Sequence, residues 1–70
     1  MTKTLVILVL LFNGNLVKER IEFLHPINVM DCLALGQAYT EVVSTYHGPG
    51  KRQGWYLNDN RGTVQGYYCE

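Results

Sequence analysis

The chain has no excess of charge of either sign. Six Lys plus Arg balance six Asp plus Glu, for a formal charge of zero. Nucleic acid and anionic membrane surfaces reward clustered positive charge, so neither is favoured as a partner. Charge is also scarce, at 17% of residues, and positions 25 to 50 carry only Asp31 and Glu41. The flanking segments lean slightly positive, through Lys3, Lys18 and Arg20 and through Lys51, Arg52 and Arg61.

Cysteine is almost as scarce. Cys32 and Cys69 are the only two and do not make a disulfide framework. Reduced thiols in a cytoplasmic protein are the expectation. Read in order, His25, Cys32, His47 and Cys69 match no zinc pattern, whose paired ligands sit two to five residues apart. Cys32 falls among apolar helix positions, where a free cysteine behaves as a small hydrophobe.

Catalytic motifs are missing as well. There is no G-x-S-x-G and no dinucleotide fingerprint. Gly48-Pro49-Gly50-Lys51 is glycine-rich beside a lysine, but it follows a helix where a phosphate loop must precede one. It reads as a cap and linker, continuing to Arg52. Asp31 and Glu41 lie ten positions apart, and Glu19 and Glu22 point to opposite faces of one strand. With no converging carboxylates, general acid/base chemistry has no visible apparatus. A non-enzymatic protein without metal or cofactor is expected.

The longest apolar run, Leu5 to Phe12, has eight residues, too few to span a bilayer. Lys3 ahead of it imitates a secretory signal. Against that, no small-residue cleavage site follows, and Asn13-Gly14 places a turn where the site should be.

That run is what the rest of the chain is organised around. A strand without alternation is one covered on both faces. Asn13-Gly14 predicts a two-residue hairpin into a second strand, Asn15 to about Leu24. Its register pairs Leu10 with Val17, Leu8 with Glu19, Val6 with Ile21 and Thr4 with Phe23. Leu11 meets Leu16 and Ile7 meets Arg20 on the other face.

Asn28 is a helix N-cap, with Asp31 three residues on completing a capping-box-like pair. A wheel drawn from Val29 gathers Cys32, Leu33, Leu35, Gly36, Ala38, Tyr39, Val42, Val43 and Tyr46 into one broad apolar arc. The helix is expected to stop near Tyr46 or His47, before Gly48 and Pro49. A second hairpin follows, Gln53–Asn58 and Thr63–Cys69, joined by Asp59-Asn60-Arg61-Gly62. It pairs Leu57 with Val64 and Trp55 with Gly66, and the Trp55 face is assigned to the helix.

The result is one α+β domain over residues 1–70, ββαββ. A four-stranded, mainly antiparallel sheet has order 2-1-3-4, with 2-1-4-3 as the alternative, and one helix on one face. One helix covers one face only. The central strand then presents Leu5, Ile7, Val9 and Leu11 on the other, joined by Leu16, Tyr56 and Tyr67. An apolar patch of that extent marks a partner surface. The expectation is a homo-oligomer, most simply a twofold dimer packing sheet on sheet, or a complex with another protein. A chain this short has a thin core that association would supplement. The alternative is single-stranded nucleic acid stacked on Tyr56 and Tyr67, with Lys18, Arg20 and Arg61 at the margins.

The C-terminal hairpin, Gly54-Trp55-Tyr56-Leu57-Asn58-Asp59 with Arg61-Gly62-Thr63-Val64-Gln65-Gly66 and a late Cys69, resembles small uncharacterised accessory proteins of marine phages, cyanophages included. The resemblance implies an accessory protein in the cytoplasm of an infected bacterium, acting by binding a host component. It carries over no functional residues.

Overall fold

A computed structural model of the chain describes residues 1–48, 50 and 53–70. The elements run β1 (Thr2–Leu11), β2 (Leu16–Ile27), α1 (Val29–Val43), β3 (Ser44–His47), β4 (Gly54–Leu57) and β5 (Gly62–Cys69). They form an α+β unit with one helix and a five-stranded antiparallel sheet in the order β2-β1-β5-β4-β3. Of the linker expected from Gly48 to Arg52, residues Pro49, Lys51 and Arg52 lie outside the described ones.

Several expectations change, among them the register of the second hairpin, which pairs Trp55 with Val64 and Tyr56 with Thr63 rather than Trp55 with Gly66. The sheet has a fifth strand, because the helix ends three residues early. Ser44 takes an extended conformation (φ −139°, ψ 164°), and its backbone N–H and hydroxyl both donate to the Thr40 carbonyl. That closes the helix without a glycine, and Thr45 and Tyr46, good strand formers, continue as β3 beside β4. The order 2-1-3-4 is wrong and the alternative 2-1-4-3 holds for its four strands. The last strand, not the first of the second hairpin, lies beside β1. Length explains this: β4 has four residues and β5 eight, and only β5 can pair along most of the ten-residue β1.

The first hairpin is out of the expected register by one residue. Its partners are Leu10 with Leu16, Val9 with Val17, Ile7 with Glu19 and Leu5 with Ile21. Leu11 N–H bonds to Asn15 O at 2.8 Å and Gly14 N–H to Leu11 O at 2.9 Å, with Gly14 at φ 93°. This is a three-residue loop whose glycine takes the left-handed position, in place of the two-residue turn. A shift of one exchanges which β1 side chains share a face with a given set in β2. Leu5, Ile7 and Val9 consequently lie under α1 with Val17, Ile21 and Phe23.

The core is therefore Leu5, Ile7, Val9, Cys32, Leu57 and Val64. The helix N-terminus forms as its sequence predicts, with Asp31 N–H donating to Asn28 Oδ1 at 2.8 Å. What α1 buries is narrower than its apolar arc: only Cys32, Gly36 and Thr40. These small residues bring the helix close to the sheet. A Cβ on Gly36 would stand 2.5 Å from the Tyr67 ring.

A shift in register between Leu8 and Val9 leaves Gln65 as an extra residue in β5. Beyond it Tyr67 and Cys69 turn to the helix side, opposite Ile7 and Leu5. Cys69 there meets Cys32 in a disulfide that ties α1 to β5. The expectation of free thiols is corrected: Cys32 and Cys69 lie far apart in sequence, and only the bulge makes them neighbours.

Candidate interaction surfaces

The residues expected to form one open interface do not lie together. Leu5, Ile7 and Val9 are 2%, 0% and 1% exposed, enclosed by the chain's own helix and neighbouring strands. They are absent from the outer face of the sheet, where the interface was expected. Leu11 is half-buried beside them. Tyr67 packs on Gly36 beneath α1, and only Leu16 and Tyr56 face the outer side of the sheet. The inversion follows from the one-residue register change, which turned the odd-numbered side chains of β1 inward.

The outer face is also less open than expected. Val6 is fully buried there, between Arg20 of β2 and Tyr68 of β5. Arg20 and Glu70 form an ion pair from one side of β1 to the other, so the arginine stem roofs the apolar centre. Phe12, Tyr56 and His47 make an aromatic row, with ring centroids 6.2 and 4.9 Å apart.

The cations proposed for nucleic-acid contact do not converge. Lys18 and Arg20 are on the outer face, and Arg20 is engaged with Glu70. Arg61 is on the helix side. Its Nε donates to Asp59 Oδ2 at 2.6 Å and its Nη2 to Glu19 Oε1 at 3.2 Å. Tyr39 Oη adds a long bond to Glu19 Oε2 at 3.4 Å.

This chain of four side chains crosses the gap between α1, β2 and the β4–β5 turn. Burial, then the charge and hydrogen bond of Glu19, hold the Tyr39 phenol above its usual range. Hydrogen bonding to Asp59 raises Arg61 further. Desolvation pushes Asp59 up, but the hydrogen bonds and charge of Arg61 outweigh it and hold the carboxyl below the usual range. Both carboxylates are thus occupied by one guanidinium. Among the described residues no three His, Cys, Asp or Glu come together as a metal site would require.

Sequence reasoning missed the surface that is open. α1 packs on β5, β1 and β3, leaving the helix-side face of β2 at the flank without a lid. Between them runs a groove of about 320 Å3 with Leu5 and Ile21 in its floor, Phe23 at one side and Leu35, Ala38 and Val42 on the helix. Leu35 and Val42 are 47% and 76% exposed. The Tyr39–Glu19–Arg61–Asp59 chain borders a second hollow, of about 270 Å3, that shares Tyr39 and Val42 with it. The legible signal was the width of the apolar arc on α1. One sheet contact uses the Cys32–Gly36–Thr40 stripe, and Leu35, Ala38 and Val42 are left over.

No protein-family model, curated protein or solved structure matches the chain. No helix among the described residues is long and apolar enough to cross a membrane.

Proposed function

We propose that the chain is a small, non-enzymatic interaction module that works as a homo-oligomer and seats an apolar segment of a protein partner in the groove between α1 and β2. The observation that carries this reading is the groove itself, with solvent-exposed Leu35 and Val42 as one wall. Contiguous apolar surface of this kind marks partner sites. Total exposure agrees. The chain presents 4959 Å2 for 8.0 kDa, about 500 Å2 more than the surface-to-mass scaling of folded monomers gives. A phage accessory protein that binds a host component is compatible with this surface.

The expectation of a cytoplasmic protein rested on reduced thiols, and that of a host cytoplasm on the phage resemblance as well. The Cys32–Cys69 bond withdraws the support of the thiols, because disulfides persist chiefly in oxidising compartments. The nucleic-acid alternative, through Tyr56 and Tyr67, loses the shared face it needs.

The test is capture from a bacterial lysate with wild-type and Val42→Lys baits, each with and without nuclease treatment. A protein held by the wild type, lost with Val42→Lys and indifferent to nuclease is the expected result. Identical capture by both baits overturns the groove as the site, and nuclease-sensitive capture favours the alternative.

A further inference from the structure

Beside the groove lies a free sheet edge. β2 has twelve residues and, among the described residues, a neighbour on one side only. Leu11 and Asn15 bond across the hairpin. By the alternation of antiparallel ladders, Leu16, Lys18, Arg20 and Glu22 then turn their amides and carbonyls away from β1. A long edge of unpaired backbone groups is a template for another strand, and charged side chains along it normally deter pairing. Here the charges follow a different rule.

Read outward from Arg20 in both directions, the segment is complementary to itself. Lys18 has Glu22 as its mirror, Leu16 has Leu24, and Val17 has Phe23. An antiparallel pairing of two copies centred on Arg20 places those residues opposite each other. Every partner is then on the same face, because all pairs join even to even or odd to odd positions. Lys18 meets Glu22 twice across the twofold axis on the outer face. Val17 meets Phe23 twice on the helix side, and Leu16 and Leu24, which are 58% and 95% exposed, cover each other.

The two Arg20 side chains meet at the axis, each already engaged by the Glu70 of its own chain. Moving the centre to Glu19 sets Lys18 against Arg20 and Leu16 against Glu22. Moving it to Ile21 sets Lys18 against Leu24 and Glu19 against Phe23. The Glu19 centre and the Arg20 centre each leave one charged side chain opposite an apolar one, Leu16 against Glu22 and Glu19 against Ile21, but only the Arg20 centre replaces the two Lys18–Arg20 repulsions by two Lys18–Glu22 attractions, with Arg20 against Arg20 as its one like-charged pair.

We infer that the chain dimerises by antiparallel pairing of β2 with β2 of a second copy, centred on Arg20, into one continuous ten-stranded sheet. The inference rests on the interaction-module reading and names the oligomer's partner as a second copy of this chain. Both helices lie on the same face of that sheet, and the two α1–β2 grooves adjoin across the axis over a shared floor. The occupant of the edge is a copy of this chain because charge complementarity, apolar complementarity and face parity coincide at one register.

The test is sedimentation equilibrium of the wild type, Lys18→Glu, Glu22→Lys and the double reversal, with circular dichroism to establish the fold of each. The wild type is expected to be a dimer at about 100 µM, with each single reversal weakening association about tenfold and the double restoring it to within about threefold. A wild-type dimer whose affinity ignores the single reversals, or a double reversal weaker than either single, overturns the edge pairing and leaves the oligomer reading standing. A wild type that is monomeric at every concentration overturns both.

Discussion

The centre of the sheet and its β2 flank differ in how they are closed. At the centre, α1 lies on β5 and β1 with small side chains between, a disulfide across the contact and Ile7 fully enclosed. At the β2 flank the same helix stands away from the floor, and Leu35 and Val42 face solvent. The lesson is that an apolar helix arc is not one surface. One stripe is chosen by the residues that allow close approach, and what remains of the arc is available for partners.

Substitutions in the two regions should therefore differ sharply. The largest effect is expected from Cys32→Ser with Cys69→Ser. Opening a link across a sequence separation of 37 should cost about 4 kcal/mol, read as a fall in urea midpoint. A loss under about 1 kcal/mol would mean that the contact is held by packing alone. Ile7→Ala, at a position with no exposure, should cost about 3 kcal/mol by the same measurement. A result near zero would place that side chain outside the core.

Gly36→Ala sharpens the comparison, because two effects oppose each other. Alanine favours the helix by about 1 kcal/mol, while crowding against an immovable ring costs about 1–3 kcal/mol. A net loss of about 1 kcal/mol is expected, whereas a gain would show that the Tyr67 ring moves aside at little cost. Val42→Lys, in the open flank, should change stability by less than about 0.5 kcal/mol. A larger loss would mean the groove is closed within the single chain.

The fold class, the first hairpin, the helix N-cap and the assignment of Trp55 to the helix side could all be read from the sequence. The faces of β1 could not. Asn13-Gly14 suits a two-residue turn and a three-residue loop ending in left-handed Gly14 alike, and the choice decides whether Ile7 points in or out. Tertiary packing made that choice, through Tyr67, Val64 and Cys69 of β5. The disulfide was hidden for a related reason. Cys69 reaches Cys32 only because Gln65 bulges, and a bulge has no reliable signature in a strand such as Thr63-Val64-Gln65-Gly66. The helix end was misread because Gly48 and Pro49 are strong stop signals, while Ser44 ends the helix earlier with its own hydroxyl.

The position of β1 in the sheet bears on how the protein is made. One of its neighbours, β2, follows after a tight loop, but the other, β5, comes about fifty residues later. At translation speeds of roughly 5–20 residues per second, the greasiest strand of a nascent copy waits several seconds with one side unzipped. During that interval a neighbouring polypeptide on the same messenger could insert itself. Misassembly during synthesis should therefore be commonest where ribosomes are most crowded.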